Sequence, residues 1–168
     1  DAHVRTMALC SDAKWDDSEQ IAKGEPTEAA LVADAAKHGY TTSDLASSRP
    51  RIGEAPFDSK RKMMSVVVRT RPGEVVQHTK GAPDEILARC TKIMTSDGVV
   101  DLTDKARADI LSQNKSMADQ ALRVMASARR DWGDTAPESF DASDLEKDMT
   151  FVGLSGMIDP VRPEVKAA

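Results

Sequence analysis

Phe57 stands just ahead of the cations Lys60, Arg61 and Lys62, at the mouth of the apolar run MMSVVV, residues 63 to 68. The chain contains only three Phe, so an aromatic ring beside clustered positive charge has to be accounted for. An aromatic ring gives a flat base a face to stack on, worth about 1–3 kcal/mol per base. Lys and Arg neutralise phosphate, the first as a point charge and the second as a fork. A ring and cations are therefore the parts of a nucleotide site. No GxxxxGK[ST] occurs, which excludes a Walker-type phosphate cradle and leaves base contacts and surface cations to hold such a ligand. Each feature alone also has a plain structural reading. Most Phe are simply buried, and KRK reads as a solvated strand end. In KGAPD a strand-turn-helix junction accounts for Gly81, Pro83 and Asp84, and leaves only Lys80 over.

The elements that would position these residues follow from periodicity. Residues 3 to 10 read as a short apolar helix, and SDAKWDDSEQ (11 to 20) as a surface loop. Pro26 suits a first helical position and Gly39 the residue past the last turn, giving a helix over 26 to 38. Glu28 sits in its first turn, where the dipole favours an acid, at the head of the stripe Leu31, Val32, Ala35 and Ala36. From Arg51 to Gly81 the pattern predicts an antiparallel meander, RIGEAPF, KMMSVVVRT and EVVQHTKG, with a Pro72-Gly73 turn. Alternation puts Lys62 on a face with Met64, Val66 and Val68, and Lys80 on one with Val76 and His78. A short helix follows Gly81, and a longer one covers 103 to 120. ALRVMASARR alternates Leu122, Val124, Ala126 and Ala128 against Arg123, Met125, Ser127 and Arg129, like a strand whose other face carries Arg123. Residues 131 to 148 read as a loop, and MTFVGLSGMI as the last strand. The expected class is α+β, helices packed on a mostly antiparallel sheet.

The whole chain narrows the function further. Its 168 residues suit one core, and its 23 Lys+Arg against 28 Asp+Glu, a net charge of −5, argue against a nucleic-acid partner. No apolar run reaches the ~18–20 residues that span a bilayer, and the opening residues lack a signal-peptide core, so direct membrane contact is not expected. Cys10 and Cys90 have no partner His at metal spacing and read as reduced structural thiols, with no metal site expected. The chain opens without Met and stops at DPVRPEVKAA, where Val161, Pro163 and Val165 read as the start of a further element, as expected of an excised piece.

Several stretches, in order, resemble one family, the cytosolic ATP-binding part of P-type cation-transporting ATPases: GEPTEAAL (24 to 31), FDSKRKMMSV (57 to 66), KGAPD (80 to 84), LRVMASARR (122 to 130) and GMIDPVRPEV (156 to 165). ALCSDA (8 to 13) is similar to the start of this domain in calcium pumps, and the likeness points to the calcium-type or sodium/potassium-type branch. The resemblance implies a twisted antiparallel sheet flanked by helices, with residues 1–156 as the nucleotide-binding domain and 157–168 returning towards a phosphorylation domain. It implies ATP as the ligand, with Phe57 stacking on the adenine and Lys80 and Gly81 lining the base pocket. Lys62 would approach the nucleotide, Glu28 would meet the adenine edge, Arg123 would reach the phosphates, and Thr27 would be a secondary contact. Some members carry an Arg two residues after the stacking Phe, where this chain has Ser59, which leaves Lys60 or Arg61 to make that contact. Neither the DKTGT motif of the phosphorylated Asp nor the TGD motif of the magnesium site occurs. The chain alone is thus expected to carry no catalytic residue, with magnesium held mainly by the absent phosphorylation domain. The implied setting is a monomeric unit at the cytosolic face of a membrane, working with the phosphorylation and actuator domains of its parent chain. The alternative is a non-catalytic interaction domain that keeps the fold without the nucleotide.

Overall fold

A computed structural model describes residues 2–70 and 73–158. Pro72 of the expected turn, and the expected hinge at Asp159, Pro160 and Arg162, lie outside the described residues. In chain order the elements are α1 (Ala2–Leu9), β1 (Lys14–Asp16), β2 (Ile21–Lys23), α2 (Pro26–Lys37), α3 (Thr42–Ser48), β3 (Arg51–Asp58), β4 (Met63–Arg69), β5 (Val75–Gly81), α4 (Pro83–Ala88), β6 (Cys90–Thr95), β7 (Gly98–Asp101), α5 (Asp104–Asp119), β8 (Leu122–Gly133), α6 (Ala142–Leu145) and β9 (Met149–Ile158).

The strands β3 to β9 form one seven-stranded sheet in the order β3-β4-β5-β8-β9-β6-β7. Every pairing is antiparallel except β6 with β9, so the sheet is mixed, flanked by helices as expected. At the centre, Met63 to Val68 of β4 are buried on both faces, which is why that segment reads as an apolar run broken only by Ser65. On one face Val68 and Val76 pack with Ala8, Leu9, Ala35 and Leu45 of α1, α2 and α3. On the other, Met63, Ala126 and Ala128 pack with Ile86 and Leu87 of α4 and Ile110 of α5, and Leu145 of α6 covers Val67 and Val75. Cys10 and Cys90 are buried, unpaired thiols, both pushed up to about 12 by burial.

The meander β3-β4-β5, the two long helices and the last strand lie where periodicity put them. Gly39 follows α2 at φ +89, the left-handed conformation that ends a helix most cheaply in glycine. Three segments differ from expectation. Residues 11 to 20 are not wholly a loop, because Lys14–Asp16 pairs with Ile21–Lys23 in a small separate hairpin. The expected loop at 131 to 148 is shortened by β8, which runs on to Gly133, and by α6. Lys62 does not share the alternation of β4. It has φ +60 in the turn before the strand, and its side chain is exposed.

His78, in the middle of β5, shows how the core responds to acid. Its Nδ1 lies 2.9 Å from Thr6 Oγ1. Burial, and then the positive charges of Arg129, Arg5 and Arg49, bring its pKa down from 6.5 to about 3. On acidification the unfolded chain takes up this proton first. The contribution to stability is therefore complete above pH 6.5 and is lost as the pH falls from 6.5 towards 3. His3, also depressed by burial, adds in the same direction. Urea midpoints between pH 7 and pH 5 should fall for the parent chain and fall less for His78→Gln. Equal slopes would mean that His78 is not held neutral.

Candidate functional site

The first turn of α2 gathers much of the predicted site. Glu25 caps the helix by accepting from the Glu28 backbone N–H, 3.0 Å away, which leaves the Glu28 carboxylate turned towards the sheet. Its Oε1 lies 3.0 Å from Lys80 Nζ, and its Oε2 accepts from the Asp12 backbone N–H at 2.8 Å. Lys80 is only 3% exposed, near the C-terminal end of β5, and Nζ also donates to Ser11 Oγ at 3.0 Å. Ser11 in turn donates to the Met7 carbonyl. The ammonium is thus desolvated but answered by a carboxylate and a hydroxyl, the condition under which a buried cation is tolerated. One residue before Glu28, Thr27 Oγ1 accepts from Arg123 Nη1 at 3.0 Å. Thr27, Glu28, Lys80 and Arg123 are therefore brought together by direct contacts.

Gly81, Lys62 and Phe57 are linked through the backbone. Met63 pairs with both Asp58 and Gly81, and Gly81 with Ala126, so these four lie in one row across β3, β4, β5 and β8. A Cβ on Gly81 would run into the Lys62 carbonyl oxygen and the Met63 side chain, so glycine is required for this close approach. The same carbonyl accepts from the Ala82 N–H at 2.9 Å. Between Ala55 and Asp58 the β3-β4 register slips by one residue, a bulge that takes in Pro56 and Phe57 on the edge strand. There the Phe57 ring is 60% exposed. From β3 to β8 is three ladder steps, so the strands that carry Phe57 and Arg123 run roughly 14 Å apart at ~4.8 Å per step.

Arg61 differs in kind from its neighbours. Its Nε donates to Glu146 Oε1 at 2.6 Å, and its Nη2 donates to the carbonyls of Pro56 and Met63 at 3.1 and 3.2 Å. Glu146 is 1% exposed and also accepts from Ser65 Oγ at 2.8 Å. This guanidinium is spent on the protein and pins the carbonyl that precedes Phe57. Of the two cations that stood to replace the contact missing at Ser59, Lys60 is the exposed one. No sequence signal marks Glu146, which falls in the stretch 131 to 148 that reads as a loop. Ser11 and Asp12 fall in ALCSDA, but nothing in that stretch marks them as partners of Lys80 and Glu28.

Among the described residues no three His, Cys, Asp or Glu side chains converge as metal ligands, and no helix is long and apolar enough to cross a membrane. A family model described as P-type ATPase, cytoplasmic domain N, matches residues 1–164. The chain belongs to this family. The N domain is 38% identical over 163 residues to the "Calcium-transporting ATPase 1" of Bacillus cereus, a match covering 97% of this chain and 18% of that one. It is 38% identical over 163 residues to the "Calcium-transporting ATPase" of Bacillus subtilis, covering 96% and 18%. With the "Sodium/potassium exporting P-type ATPase cta3" of Schizosaccharomyces pombe it shares 35% identity over 173 residues, covering 98% and 16%. The N domain thus spans under a fifth of the length of these relatives.

Proposed function

We propose that this N domain binds ATP at the end of the sheet marked by Phe57, Gly81 and the first turn of α2, and presents the γ-phosphate to an Asp in a separate domain of a cation-transporting parent chain. One observation carries the reading. Lys80, almost wholly buried, and Glu28 form a polar wall at the mouth of the central strands, and an exposed aromatic ring stands on the neighbouring hairpin. An exposed Phe on a pinned bulge has no packing role to explain it, whereas a base-stacking role needs that exposure. Lys80, Glu28 and Gly81 line the base end, with Lys62 beside them. Arg123 and Thr27, with Lys60, serve the phosphates. Calcium is the cargo that most of these relatives' names suggest, and the cytosolic face of a membrane is the matching location.

Stacking and exposed cations are modest contributors and association entropy opposes them, so the dissociation constant should be about 0.1 to a few mM. Magnesium should change it little, and phosphoryl transfer should need the absent domain's nucleophile. Incubating the purified N domain with radiolabelled ATP tests this: binding without phosphate release is expected. Sustained release that tracks the protein through purification, or an acid-stable phosphoprotein, would overturn it.

Arg123 separates the two ends of the ligand. It lies on the outer stretch of β8 and is exposed, so its attraction for phosphate is screened and should be worth about 0.4–1 kcal/mol. Arg123→Ala should weaken ATP by roughly two- to five-fold and leave adenosine unchanged, with the difference shrinking at high salt. Equal losses for both ligands would move Arg123 to the base end.

A further inference from the structure

A second site lies towards the N-terminal end of β5, away from Lys80. Here a cavity of 170 Å³ is lined by Arg5 from α1, Arg49 at the end of α3, and Arg129 from β8, together with His78, Thr70 and Glu74. Arg129 is the register partner of His78, so its strand position faces α1. Three guanidinium groups from three separate elements thus converge on one small space. Opposing them are Glu74 on the lining and Asp131, which takes Arg129 Nε at 2.9 Å from outside it. Tyr40 also faces Arg5. Arg49 Nη1 gives one bond to Ser48 Oγ at 3.3 Å. Arg5 Nε is the one buried side-chain nitrogen or oxygen among the described residues with no hydrogen-bond partner.

We propose that this cavity binds a small tetrahedral oxyanion, with phosphate the fitting chemistry. The space is below the ~300 Å³ at which pockets begin to hold drug-sized ligands, so a nucleotide does not fit it. Buried N–H groups in native proteins are almost always satisfied, and an orphan asks for a partner. Water would satisfy the Arg5 N–H but leave three like charges facing each other. An oxyanion does both, because its several acceptor oxygens match the donor forks of more than one guanidinium. Consistent with mutual repulsion, Arg5 is held below its ordinary pKa first by burial and then by Arg49 and Arg129. The proposal is independent of the ATP site, which lies at the other end of the same strand.

The test is a titration of the whole chain with inorganic phosphate at ionic strength held constant with chloride. Arginine Nε–Hε resonances and the thermal midpoint are followed together. A saturable shift of the Arg5 Hε signal is expected, with a midpoint that rises with phosphate concentration. Arg5→Gln should abolish both responses. In chloride alone that variant should melt no lower than the parent, because it loses a charge that Arg49 and Arg129 repel and an Nε with no hydrogen-bond partner. Arg123→Ala should keep both responses, since its change lies in the other site. A parallel titration with O-phosphoserine separates the sources: equal binding assigns the site to a phosphoryl group in either setting, and binding of inorganic phosphate alone to the free ion. An equal response to chloride would overturn the proposal. So would its loss in Arg123→Ala, or a large destabilisation of Arg5→Gln in phosphate-free buffer.

Discussion

Arg61→Ala should lower the unfolding free energy by about 3–5 kcal/mol, towards the lower end because the guanidinium keeps some contact with water. The substitution leaves the Glu146 carboxylate buried, with only Ser65 Oγ from its present set of partners. It also releases the Pro56 and Met63 carbonyls that fix the bulge before Phe57. For a domain whose whole stability is typically ~5–15 kcal/mol, that is a large share. Replacing both partners with apolar groups of similar volume, Arg61→Met with Glu146→Leu, should recover much of the loss, since it removes the stranded charge. Urea denaturation distinguishes these outcomes. A loss under ~1 kcal/mol for Arg61→Ala would show the pair to be screened like a surface ion pair.

Phe57→Ala should leave the fold within ~0.5 kcal/mol of the parent, because an exposed ring contributes little packing. Its effect should fall on the nucleotide. Loss of stacking costs about 1–3 kcal/mol, which is roughly five- to 150-fold in the ATP dissociation constant, with the same loss for adenosine. Phe57→Trp should retain most of the affinity, since any flat ring serves. The contrast with Arg123→Ala, which spares adenosine, separates base from phosphate contacts. Calorimetry that finds unchanged ATP affinity in folded Phe57→Ala would take the ring out of the site.

What could be read in the sequence was set by how local each determinant is. The helix bounded by Pro26 and Gly39 and the mainly apolar β4 carry their signals within a few residues, and both stand as expected. The hairpin of β6 and β7, which turns at Ser96-Asp97, carries no periodic signal, because Val99 and Val100 are both exposed and show no alternation. The period of two that puts Lys62 on a strand face extends one residue too far, across a left-handed turn. Thr27, Glu28, Lys80 and Arg123 were legible as candidates, and the structure joins them. Arg61 was not separable from Lys60 and Lys62, since three adjacent cations look alike until a partner 85 residues away selects one of them. Sequence neighbours share composition, and only the fold assigns them different work.

The most direct measurement is an ATP titration of the N domain followed through its backbone amide resonances. Progressive, saturable shifts should cluster at Thr27 and Glu28, at Phe57 to Lys62, at Lys80 and Gly81, and at Arg123, with a midpoint near 0.1 to a few mM. Adenosine should reproduce the shifts at Phe57, Lys80 and Gly81 but not those at Arg123. No saturable shift at millimolar ATP, or shifts confined to residues away from Phe57 and Lys80, would contradict nucleotide binding at this end of the sheet.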